Sequence, residues 1–144
     1  MNPVENALIS IRPGYAEAIF TGSKTVELRR RIPPITKGTR LWIYVTKPVG
    51  AVLGVAEVKE IVAGTPAEIW ERCNGNTGID RSEFDRYFDA SVSAFGLILA
   101  NVRKGLPASM ETLKELRPGF HPPQVMTRLT DAEAESLKQH VFRP

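Results

Sequence analysis

Within one short stretch, Gly22-Ser23-Lys24-Thr25-Val26-Glu27-Leu28-Arg29, the chain sets an ammonium, a carboxylate and a guanidinium close together, with Arg30 and Arg31 directly behind. A lysine beside a carboxylate and a guanidinium, where the dielectric is reduced, serves as a phosphate anchor or, if its pKa is depressed, as a general base. Arg29 then either contacts a phosphate with its fork or holds Glu27 in place, and Glu27 orients Lys24 or accepts a proton. The same three groups equally suit a buried network that only fixes local structure. Lys24 and Glu27 are the candidate catalytic pair.

These side chains must be positioned by a strand and by the turn before it. Val26 and Leu28 have the apolar and β-branched character of an extended segment. A period of two puts Thr25, Glu27, Arg29 and Arg31 on one face and Lys24, Val26, Leu28 and Arg30 on the other. Strict alternation separates Lys24 from Glu27, so the two meet only if Lys24 lies in the turn that follows Gly22. Candidate contacts to a nucleic acid are Arg12, Lys24, Arg29, Arg31, Tyr44 and Lys47, with Trp42 a further aromatic that either stacks on a base or packs the core. His121, in a proline-rich stretch beside Gln124, lacks a catalytic partner at a recognisable spacing.

The totals narrow the classes. A chain of 144 residues with 42% hydrophobic and 24% charged residues fits one folded domain, residues 1–144, and not a disordered segment. The net charge of +3 and pI ≈ 9.2 permit an anionic partner without requiring one. Lys37 and Arg40 add to a basic concentration in the first third of the chain. The lone Cys73 excludes an internal disulfide, and with two histidines it makes no zinc site of usual composition, so no metal or cofactor is expected. Cys73 reads as a buried thiol. No apolar run nears the ~20 residues of a membrane-spanning helix and no signal peptide is evident, so the expected location is cytoplasmic, away from membranes.

Periodicity and punctuation outline the elements. Strands are predicted over 7–11, from 24 onward, over 40–46, 51–62 and 94–102, with Gly54 as a bulge where the sheet bends and Ile32-Pro33-Pro34 as a strand stop. Helices are predicted over 15–21, 66–73, a stretch capped by Asp80, 110–116, and a last one capped by Thr130. The Phe84, Tyr87 and Phe88 stripe reads as core, and 120–126 as irregular. About five strands with two helices inserted before the last long one give a mixed α+β domain with a curved, mostly antiparallel sheet.

Gly22, Lys24, Glu27 and Arg29 match the G-x-K-x-x-E-x-R signature of the ASCH domains, a branch of the PUA-like superfamily, and most of the chain resembles that family, from the Arg12-Pro13 turn to Pro122-Pro123-Gln124. The resemblance implies a PUA-like β-barrel flanked by short helices, with a cleft lined by the motif, so that Lys24, Glu27 and Arg29 form a cleft group and Arg30 and Arg31 an outer pair. It implies RNA or a modified nucleoside as partner. The expected function is RNA or nucleotide binding; the alternative is a metal-independent hydrolase, either a ribonuclease or an amidohydrolase of acylated cytidine. In the amidohydrolase branch the chemistry rests on the motif lysine, a threonine three residues later and a glutamate in the helical insertion. Lys24 matches the first, but Glu27 stands at the threonine position and Asn74 to Gly78 supply no carboxylate.

Overall fold

The computed structural model describes residues 4–31 and 35–143. The predicted strand stop at Ile32-Pro33-Pro34 therefore lies outside the described residues. The elements in chain order are β1 (Asn6–Ile11), α1 (Pro13–Thr21), β2 (Val26–Arg29), β3 (Arg40–Val45), β4 (Ala51–Gly64), α2 (Pro66–Cys73), α3 (Arg81–Tyr87), β5 (Ala94–Ser109), α4 (Met110–Leu116), β6 (Met126–Leu129) and α5 (Asp131–Val141). No helix among them is long and apolar enough to cross a membrane.

The strands form a six-stranded sheet in the order β2-β5-β4-β3-β1-β6. All neighbours are antiparallel except β1 and β3, which run parallel from Asn6 opposite Arg40 to Ile11 opposite Val45. The expected closure into a barrel is not seen: β2 and β6 end the sheet, and among the described residues no ladder joins them. Curvature is nonetheless present. Pairing of β4 slips between Val52 and Gly54 against β5, and between Ile43 and Tyr44 of β3. Gly54 is required there, because a Cβ would meet the Arg103 carbonyl and the Phe20 ring at 2.2 and 2.6 Å.

Two further departures from the sequence reading concern extent. β5 runs on through Pro107 to Ser109, where a strand end was predicted near Val102, because Lys104, Ala108 and Ser109 still find partners on β4. β6 is absent from the sequence reading: it starts at Met126, the last residue of the stretch read as irregular, and its four residues form a strand because β1 supplies an edge to pair with. The helix ends follow the capping pattern. Thr65 and Thr130 form capping boxes with Glu68 and Glu133, Asp80 accepts from the Glu83 amide, and Gly22 stops α1 at φ 91°.

Apolar side chains gather on both faces of the sheet. One cluster unites Ile9, Ile19, Ile43, Val58 and Leu97; another unites Leu8, Trp42, Tyr44, Leu113 and Leu137 under α4 and α5. A third, with Val26, Leu28, Ile69, Cys73, Phe84 and Phe88, fastens α2 and α3 to β2 and β5. It is this third cluster that sets the inserted helices beside β2, and thereby builds one wall of the site.

Candidate functional site

Lys24 leaves the chain in the turn between α1 and β2, where its amide donates to the Ala18 carbonyl at 3.0 Å and Gly22 supplies the left-handed residue that reverses the chain. Regular pairing starts only at Val26, which faces Ile98 of β5. The turn thus frees Lys24 from strand alternation, and its Nζ lies 3.5 Å from Glu27 Oε1. Glu27 Oε2 in turn accepts both Nε and Nη2 of Arg29, at 3.0 and 2.7 Å. Arg29 Nη2 also donates to the Ser10 carbonyl at 2.9 Å, tying edge strand β2 to β1. Arg29 therefore holds Glu27 with its fork.

Lys24 and Glu27 are 3% and 6% exposed, deep for charged side chains. The Lys24 ammonium donates to the Thr77 carbonyl at 2.5 Å and sits 5.1 Å from the Tyr15 ring centroid. Burial holds its pKa below the usual lysine range, with Arg29 pushing the same way and Glu27 opposing. Asn76 pins the loop that carries Thr77, its carbonyl receiving the Thr25 and Val26 amides at 2.8 and 3.0 Å. The next residue, Gly78, has φ 73°, and a Cβ there would come within 3.1 Å of the Lys24 Cβ. The loop and the lysine fit because position 78 lacks a side chain.

This cluster forms part of the wall of a cleft of about 1130 Å³, bounded by β1, the turn after it, β2, the segment following α3, and Pro122 to Val125. Arg12, Lys24, Arg29, Arg30 and Arg31 line it, and Glu27 is its sole carboxylate among the described residues. The local excess of positive charge exceeds that of the whole chain, +3, so the remaining surface carries slightly more acid than base. Among the described residues no three His, Cys, Asp or Glu side chains group to hold a metal ion.

Of the candidates read from sequence, Arg12, Lys24, Glu27, Arg29 and Arg31 all reach this cleft. Arg30 does as well, so Arg30 and Arg31 are not an outer pair: β2 is an edge strand and the cleft wraps around it. Tyr44 and Lys47 do not line it. Tyr44 is 2% exposed and packs edge-on against Phe120 in the second cluster, where burial pushes its phenol up, while Lys47 is exposed beyond the end of β3. Trp42 is buried too, its indole nitrogen donating to Asn6 Oδ1 at 3.1 Å. His121 is exposed and lies outside the cleft, although Pro122, Pro123 and Gln124 line it. Cys73 is buried in the third cluster, where burial raises its thiol.

Sequence reasoning missed the Thr77 carbonyl, Tyr15 and Tyr87 as parts of the site. A backbone carbonyl leaves no trace in residue type; the only available signal was the glycine at 78, which read simply as a helix break. Helical spacing puts Tyr87 in a core stripe, and its partners Phe84 and Phe88 are buried, but its own ring reaches the cleft.

A model of the ASCH domain matches residues 9–104. A Zymomonas mobilis protein named ASCH domain-containing ribonuclease is 37% identical over 133 residues, which cover 92% of this chain and 90% of that protein. The crystal structure of ASCH from Zymomonas mobilis superposes with a TM-score of 0.91 at 36% identity, covering 95% of this chain and 96% of the other. The N-terminal domain of Staphylothermus marinus McrB, at 12% identity and TM-score 0.61 over 96% of this chain and 98% of its own, shares the fold alone. A signature carried on the turn and edge strand of this sheet, a matching family model over two thirds of the sequence and full-length similarity all agree: the chain belongs to the ASCH domain family.

Proposed function

We propose that the cleft binds RNA and cleaves it as a ribonuclease that needs no metal, with Lys24 and Glu27 as its reacting pair. The observation that carries this is the buried Lys24 ammonium, 3.5 Å from Glu27 and held below the usual lysine range, in the wall of a cleft whose charge is otherwise positive. Support comes also from the relative at 37% identity that is named a ribonuclease. In strand cleavage the ribose 2′-hydroxyl loses a proton, its oxygen attacks the adjacent phosphorus, and the 5′-oxygen departs with a proton. A lysine whose charged form is disfavoured has a neutral fraction able to take the first proton. Glu27, clamped by Arg29, orients that amine and shuttles the proton, while Arg12 and Arg31 attract phosphates from the rim. An amide hydrolase of acylated cytidine is less well supported, since Glu27 occupies the position of the nucleophilic threonine in that branch.

The test is product formation from single-stranded RNA and from acylated cytidine by wild type and Lys24→Met, each with and without chelator. RNA cleavage by wild type that persists in chelator and is lost in Lys24→Met is expected. Equal product from both proteins would exclude Lys24 as the base, and cleavage abolished by chelator would exclude the metal-free route. Binding should weaken steeply with salt as phosphate counterions are released.

A further inference from the structure

The charges around the cleft differ in how they are satisfied. Lys24 and Arg29 spend their donors inside the protein, on Glu27, the Thr77 carbonyl and the Ser10 carbonyl. Arg30 has no carboxylate or carbonyl partner among the described residues. Its guanidinium carbon lies 4.9 Å over the centroid of the Tyr87 ring, and a cation over an aromatic face keeps its charge and its N–H donors. The ring beneath is itself fixed. Tyr87 donates its hydroxyl to the Leu28 carbonyl at 3.3 Å, and Phe88 packs against it at 4.8 Å with the planes 73° apart. Ser91 and Ser93, in the segment after α3, add hydroxyls to the same cleft.

Strand alternation places this pair apart from the motif. Glu27 and Arg29 project from one face of β2, whereas Leu28, whose carbonyl receives Tyr87 and whose side chain packs with α3, projects from the other, the side on which Arg30 meets Tyr87. Because β2 is the edge strand, the cleft runs from the motif face around that edge to the inserted helix. Arg30 therefore offers its donors on the face of β2 away from Glu27 and Arg29, as a position separate from the one beside Lys24.

Resting on the RNA reading above, we propose that Arg30, held in place by Tyr87, is a second phosphate subsite, which makes the preferred ligand an oligonucleotide and not a nucleoside or mononucleotide. The second phosphate belongs to the nucleotide next to the one at Lys24. It meets the guanidinium fork on its open side, with the Ser91 and Ser93 hydroxyls available to the same phosphate or its ribose.

The experiment measures binding of uncleavable 2′-O-methyl uridine di-, tri- and hexanucleotides, of which the first carries a single internal phosphate, to wild type, Arg30→Ala, Tyr87→Leu and Tyr87→Phe, with thermal melting as a check of folding. Arg30 is exposed, so its variant should melt as wild type does. Wild type should bind the longer oligomers much more tightly than the dinucleotide. Arg30→Ala should lose about tenfold toward the hexanucleotide and reduce the salt slope by about one, with little change toward the dinucleotide. Tyr87→Leu should follow Arg30→Ala in direction, and Tyr87→Phe, which keeps the ring, should resemble wild type. Equal losses on short and long oligomers, or no loss on any, would overturn the subsite while leaving the RNA reading intact. Failure of wild type to bind any oligomer would remove the RNA reading itself and the subsite with it.

Discussion

Glu27 and Lys24 are both buried, yet their removal should have very different costs. Glu27 lies between two cations, with Arg29 at 2.7 Å and Lys24 at 3.5 Å. Glu27→Gln keeps the shape and leaves those cations without their counter-charge, and breaking a buried pair from one side costs about 3–5 kcal/mol. Lys24 can limit that cost by giving up its proton, at about 1.36 kcal/mol for each pH unit below its ordinary value of 10.5. The lysine's share of the penalty therefore has a ceiling of about 5 kcal/mol at pH 7 and about 2 kcal/mol at pH 9. Lys24→Met is the opposite case. Burial already outweighs the attraction of Glu27, so methionine removes a charge that the site disfavours while its chain still packs by Tyr15 and Gly78. Against that relief stands the Thr77 carbonyl without its donor, about 1–3 kcal/mol, so the net change should be within about 1.5 kcal/mol of wild type. In wild type the folded chain holds the Lys24 proton less tightly than the unfolded chain does. Between the lowered pKa and 10.5 the unfolded state thus binds more protons, and this group's contribution to stability rises with pH. Urea denaturation of wild type and both variants at pH 7 and at pH 9 reads all of this. A Lys24→Met variant less stable than Glu27→Gln, or a Glu27→Gln penalty that is the same at the two pH values, would refute these assignments.

Gly78→Ala should lower RNA cleavage, because the new Cβ would crowd Lys24 at 3.1 Å, and should cost about 1–2 kcal/mol for the left-handed backbone. Gly75→Ala is its control, with a similar φ of 87° and nothing within 4 Å: the same backbone cost without the crowding, and full activity, are expected, and matched activity in the two variants would disprove the packing of Gly78 on Lys24. Outside the cleft lining, Arg117 donates to Glu133 at 2.7 and 2.8 Å and holds its carboxyl at about 2, so stability from this pair is present above pH 4.5 and fades as pH falls toward 2. Removing Arg117 as leucine should cost on the order of 1–2 kcal/mol at neutral pH, allowing for partial solvent screening, and flatten the acid limb of the stability curve. An unchanged acid limb would show that the pair contributes little.

The sequence by itself determined the local elements and the charged residues that meet beside the turn after α1. Thr65, Asp80 and Thr130 announce helix starts, Gly22 a helix stop, and Gly54 a bend, because capping, left-handed backbone and close strand approach each demand particular residue types within a few positions. Lys24, Glu27 and Arg29 were legible for the same reason, including the turn that lets the lysine escape strand alternation. What only the tertiary structure decided are relations between segments remote in sequence. The parallel pairing of β1 with β3, the capture of Met126–Leu129 as a strand, the burial of Tyr44 and the Thr77 carbonyl on Lys24 each depend on a partner that no local pattern names. Arg30 shows the difference most directly. Its position after an edge strand was readable, but its direction was set by α3, which the apolar contacts of Leu28, Phe84 and Phe88 draw against β2 until Tyr87 lies beneath the guanidinium.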